Sequence, residues 1–176
     1  MMAAVEERNG IREFAFEKAD FKNVQQMLFK KAGINLSDAK EAMVYSRLAR
    51  RIRALNLKSF SEYLGVVNQS EAELEQFINA LTTNLTSFFR EPHHFTALAE
   101  YLRQHSNVTN IWCAASSTGE EPYSIAMVVA EAFGSFKTPV KIIASDIDSK
   151  VLSKAKAGIY PFASISKIPA HRQKQF

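Results

Sequence analysis

Apolar side chains recur every three or four positions from Glu17 onward. Phe21, Val24, Leu28 and Phe29 predict an amphipathic helix that Gly33 ends. Ser37 offers an N-cap for a second helix, with Asp38 and Glu41 suited to its first turn. That helix carries Tyr45, Leu48, Ile52 and Leu55 on one face and Arg47, Arg50 and Arg51 on the other, and Asn56 stops it. Ser59 followed by Glu62, and Ser70 followed by Glu73, are capping boxes that open two more helices. Their apolar positions are Tyr63 and Leu64 in one, and Leu74, Phe77, Ile78 and Leu81 in the other. Residues 1 to about 15 read as a polar, frayed lead-in, so residues 1–82 form an all-helical domain whose packed part starts near residue 16.

After residue 82 the pattern changes. Residues 83–92 are a linker rich in Asn, Thr and Phe, and Pro92 suits the first position of a helix that turns Phe95, Leu98 and Leu102 inward. A strand over 111–115, a helix over 120–133, a strand over 140–145 and a helix over 149–157 follow, and the tail 159–176 contains Pro161, Pro169 and a basic end. This β-α-β-α alternation predicts a parallel sheet. The fold class is an all-α N-terminal domain followed by a partial α/β, Rossmann-like domain over residues 93–176.

Composition narrows the function. At 47% apolar and 23% charged, the 176 residues are ordinary for a globular protein. No apolar run approaches the ~20 residues of a membrane span, and the acidic start of the chain does not read as a secretory signal. The single cysteine, Cys113, lies inside an apolar run with no basic neighbour and reads as a buried structural thiol of a reducing cytoplasm. The four histidines lack metal-ligand spacing, so no metal is expected. The net charge of +4 is modest. A mildly basic helical unit could bind DNA, but the chain has neither a helix-turn-helix pattern nor aromatic interleaving, so no nucleic-acid partner is expected.

The candidate chemistry sits where strands meet helices. Residues 115–119 form a small-residue turn, Ala-Ser-Ser-Thr-Gly, that lets backbone N–H groups approach a nucleotide-like ligand. Glu121 follows in the first helical turn, where it reads equally as a ligand contact or as a complement to the helix dipole. Asp146 ends the second strand, where a carboxylate can grip two ribose hydroxyls. Its competing role, capping the next helix, better suits Asp148 or Ser149. Arg90 could hold a carboxylate in bidentate fashion, or form a weak surface pair with Glu91 or Glu100.

The strings NLTSFFREPHHF, AASSTGEEPYSIA and ASDIDSKVLSKAKAGIY closely resemble the CheR family of chemotaxis-receptor glutamate methyltransferases. The resemblance implies a cytoplasmic protein that uses S-adenosylmethionine to form methyl esters on receptor glutamates, releasing S-adenosylhomocysteine. It implies that Asn84, Thr86 and Arg90 cover the cofactor, with Arg90 near the methyl group and the incoming glutamate, and that Glu121 is a cofactor contact beside Asp146. Arg47, Arg50, Arg51 and Arg53 become a docking face for the glutamate-rich helices of methyl-accepting receptors. The chain covers only the first part of the family pattern. It is therefore expected to be a fragment, inactive alone, with a bare edge on the 111–115 strand that favours self-association. The alternative is a truncated, non-catalytic relative acting as a receptor-binding regulatory module.

Overall fold

A computed structural model describes residues 12–105, 107–166 and 168–176. The part of the expected lead-in that runs to residue 11 lies outside them. The chain divides into two units, one ending at Leu81 and the other spanning Thr82–Phe176.

The first unit is helical: α1 (Lys18–Ala32), α2 (Glu41–Ala54), α3 (Phe60–Gln69) and α4 (Glu71–Leu81). Asp20 accepts the Glu17 N–H at 2.9 Å at the start of α1. Gly33 closes it at φ 67°, its N–H bonded to Phe29 at 2.8 Å. Ser59 accepts the Glu62 N–H and Ser70 the Glu73 N–H, as the capping boxes predict. The Glu62 carboxylate returns to the N–H of Lys58, one residue before the cap. Ser37 makes no side-chain cap. A 3-10 turn over Asp38–Lys40 precedes α2, and Asp38 is tied instead to Gln25 of α1. Val24, Leu28, Val44, Leu48, Ile52, Phe60, Tyr63 and Phe77 form the core. Residues 12–16 are not frayed: Phe16 is buried, 4.3 Å from the Phe60 ring, and Arg12 lies over Phe16 and Tyr45.

The basic face of α2 is not the uniform exposed stripe the pattern predicts. Arg50 is exposed. Arg51 forks onto Glu73 of α4 at 2.9 and 2.6 Å, and Glu73, only 7% exposed, also accepts the hydroxyl of the fully buried Tyr63. Arg47 is half-buried and donates to the Ala80 carbonyl, and Arg53 pairs with Glu13 at the surface. Leu55, expected inside, is exposed, because α2 ends at Ala54 and Asn56 turns the chain at φ 54°.

The second unit contains α5 (Pro92–Gln104), β1 (Asn110–Cys113), α6 (Glu120–Phe133), β2 (Lys141–Ala144) and α7 (Ser149–Ala157). Two short helices, α8 (Phe162–Ile165) and α9 (Ala170–Gln175), occupy the tail, to which the sequence pattern assigns no element. The strands are parallel, with Asn110 opposite Lys141 and Cys113 opposite Ala144. Cys113 packs with Phe95 and Leu102 of α5 and with Ile125, Val128 and Val129 of α6. On the alternate positions Trp112 and Ile143 are cross-strand partners, 69% and 43% exposed. Among the described residues β1 pairs only with β2, so its other edge is open. No helix among them is long and apolar enough to cross a membrane.

Candidate functional site

The two parallel strands end side by side, and the chain chemistry at their C-terminal ends builds the site. Beyond the strands the pairing continues: the Ser145 N–H bonds to Cys113 and the Ser116 N–H to Ser145. The loop then turns sharply through Ser117 at φ 47° and Gly119 at φ 101° before α6 begins. A Cβ at position 119 would collide with the Tyr160 hydroxyl and with Ala155, so only glycine lets the loop pass there.

Asp146 staples this loop. One carboxylate oxygen accepts the Ser117 N–H at 2.8 Å and the other the Asp148 N–H at 2.9 Å. Asp148, 2% exposed, caps α7 through the N–H groups of Lys150 and Val151, as expected. It does a second job that the sequence does not signal. Its other oxygen accepts from Asn84 at 2.7 Å and Thr82 at 3.1 Å, fastening the linker to the end of β2. The Ser117 hydroxyl completes the tie by donating to the Asn84 carbonyl.

The result is a cleft of about 560 Å³ that brings together Asn84, Thr86, Arg90, Glu121 and Asp146, all five residues expected at a cofactor site. Ile111 and Ile125 give it apolar walls. Glu121 is exposed and Asp146 half-buried, and among the described residues neither is held in an ion pair. Arg90 is exposed and one of its amino groups donates to the Leu85 carbonyl at 2.7 Å. Two carboxylates and one guanidinium on a half-apolar wall suit a ligand carrying both hydroxyls or cations and a carboxylate.

Cys113 adjoins this cleft without serving it. Burial, reinforced by the charge of Glu121, pushes its thiol up to about 11, so it is neutral and unreactive at physiological pH. Among the described residues no three His, Cys, Asp or Glu side chains converge to hold a metal ion.

Two family models match the chain in tandem. "CheR methyltransferase, all-alpha domain" covers residues 19–82, and "CheR methyltransferase, SAM binding domain" covers residues 84–176. The chain is 49% identical over 170 residues to Chemotaxis protein methyltransferase 2 of Pseudomonas aeruginosa, which spans 95% of this chain and 61% of that protein. It is 48% identical to the Chemotaxis protein methyltransferase of Salmonella typhimurium, over 94% of this chain and 58% of that protein. The match to the Escherichia coli protein of the same name is 47%, over 92% and 58%. The chain thus spans about three fifths of the length of the curated relatives it matches. With both domains matched in order and the cleft falling inside the second, the chain belongs to the CheR methyltransferase family, whose SAM-binding domain takes S-adenosyl-L-methionine as cofactor.

Proposed function

We propose that this chain binds S-adenosylmethionine in the cleft at the ends of β1 and β2 and takes part in methyl-ester formation on glutamate side chains of chemotaxis receptors. The observation that carries this reading is the convergence of Asn84, Thr86, Arg90, Glu121 and Asp146 on one cleft. The donor set fits the cofactor. Asp146, oriented by two backbone N–H groups, keeps acceptor capacity on both oxygens for ribose hydroxyls. Glu121 supplies a negative charge for the cofactor's amine and sulfonium. Asn84 spends one of its two amide N–H donors on Asp148, which leaves the other N–H and the side-chain oxygen for a ligand.

Bound there, S-adenosylmethionine supplies a methyl group activated by a cationic sulfonium. Arg90 holds the incoming carboxylate in line through its planar fork. A glutamate carboxylate is already nucleophilic at neutral pH, so orientation and exclusion of water are what the protein contributes. Docking of glutamate-rich receptor helices falls to Arg50 and Arg53 of α2, because Arg51 is committed to Glu73 and the half-buried Arg47 to the Ala80 carbonyl. The surface pair of Arg53 with Glu13 is weak enough to exchange for a receptor carboxylate. The setting is the cytoplasm, at membrane-bound receptors.

The test is transfer of labelled methyl groups from S-adenosylmethionine to receptor-enriched membranes by this chain extended to the length of its relatives. Asp146→Ala should weaken cofactor binding by more than about 1.5 kcal/mol, the scale of a lost charged hydrogen bond. Unchanged affinity in calorimetry would remove Asp146 from the site. As a separate 176-residue polypeptide the chain is expected to bind cofactor weakly, to transfer no methyl groups, and to self-associate through the open edge of β1. A monodisperse monomer in the ultracentrifuge, with turnover, would contradict that expectation.

A further inference from the structure

Arg172, in the tail, touches both α6 and the linker with its guanidinium. From α9 its guanidinium donates through Nε and an amino nitrogen to the two carboxylate oxygens of Glu131 on α6, at 2.7 and 2.8 Å. Both side chains are about three-quarters buried, 23% and 26% exposed. The flat guanidinium also lies over the ring of Phe89, 4.3 Å from its centroid. Phe89 sits in the left-handed region at φ 51°, as does Glu91 at φ 55°, so Arg90 is carried between two backbone conformations that only outside contacts maintain. Those contacts come from three helices. The Phe89 N–H donates to the buried hydroxyl of Ser124 on α6, its ring meets Phe95 of α5 at 5.1 Å, and Arg172 of α9 closes the third side. Arg90 lines both the cofactor cleft and a second groove of about 720 Å³ whose wall includes Phe89 and Arg172.

We propose that Arg172 is a positioning residue: held flat by the Glu131 fork, it clamps the Phe89 turn and thereby sets where Arg90 presents its guanidinium. A planar cation with two parallel hydrogen bonds and an aromatic neighbour is rigid in a way a lysine ammonium is not. The role of Arg90 toward a ligand rests on the function proposed above; the clamp does not.

The test uses this chain with Arg172→Ala, Arg172→Lys and Glu131→Gln. In hydrogen exchange, all three should speed exchange of the Phe89 amide by about tenfold or more while amides of β1, β2 and α2 stay unchanged. The Arg90 Nε–H resonance should move toward that of a freely rotating arginine. Lysine should not rescue, because it keeps the charge but loses the plane. Binding of S-adenosylhomocysteine should weaken in each variant, and the loss should vanish in an Arg90→Ala background, since neighbours acting through one group are non-additive. Unchanged Phe89 exchange and Arg90 resonance would overturn the clamp, as would full rescue by lysine. Losses that add to that of Arg90→Ala would also overturn it, by showing that Arg172 acts elsewhere. If Arg172→Ala does not fold, Glu131→Gln alone decides by the same readouts. If the unmutated chain binds no S-adenosylhomocysteine, the cofactor reading fails while exchange and resonance still judge the clamp.

Discussion

Gly119→Ala should destabilise the second unit by roughly 3 kcal/mol, the sum expected for a side chain forced to positive φ and for overpacking a closed loop. At φ 101° an alanine is strained before it meets any neighbour. Its Cβ would then stand 2.9 Å from the Ala155 Cβ and 3.0 Å from its Cα, which belongs to the backbone of α7 and cannot rotate away. The Tyr160 hydroxyl, also in collision, can move only by giving up its 2.7 Å bond to the Thr118 carbonyl and its edge-on packing against Phe88. Urea unfolding followed by exchange of the β1 and β2 amides measures the effect. A loss below about 1 kcal/mol would show that the loop relaxes more readily than this geometry allows.

Glu73→Ala should cost the helical unit about 3 kcal/mol or more, the range for breaking a buried charged pair by removing one member. The substitution leaves the Arg51 guanidinium without its fork and the Tyr63 hydroxyl buried without an acceptor. In the intact protein, burial beside the Glu73 carboxylate pushes the Tyr63 phenol above its ordinary range, which keeps its hydroxyl a donor to Glu73. Glu13→Ala, which frees an exposed Arg53, should by contrast change stability little. Thermal unfolding of the two variants side by side distinguishes the cases, and equal shifts would contradict the assignment. Charge reversal on α2 carries the same warning: Arg51→Glu would place two carboxylates together inside the unit. A docking experiment on this helix is therefore cleaner with Arg50 than with Arg51.

The local elements were legible because their causes are local. The helix over 120–133 matches α6, and the one over 149–157 matches α7, since a turn and cap at one end and glycine at the other mark both. The strands came out one or two residues shorter than the apolar runs: the first starts one residue early and stops two early, and the second loses one residue at each end. Ser37 misled because Gln25, twelve positions earlier in sequence, claims Asp38 and tightens the turn into 3-10 geometry. Both tail helices are too short for periodicity to show, and each follows a proline. At the site, motif strings pointed to the cleft residues, and the fold brings those residues together. What holds them was not legible. The Asn84–Asp148 and Glu131–Arg172 contacts join positions 64 and 41 residues apart, distances at which spacing carries no signal.

The outward face of the sheet gives the molecule an optical property. Trp112 is the chain's single tryptophan, and its indole lies largely in solvent, with its N–H donated to Ser145 at 3.0 Å. All indole emission therefore originates at one spot on the face opposite α6. It should sit at the red end expected of an aqueous ring and be readily quenched by iodide. Whatever comes to lie against Trp112 and Ile143 will shift that emission to the blue and shield it. Coverage of this face can thus be followed in solution with no added label.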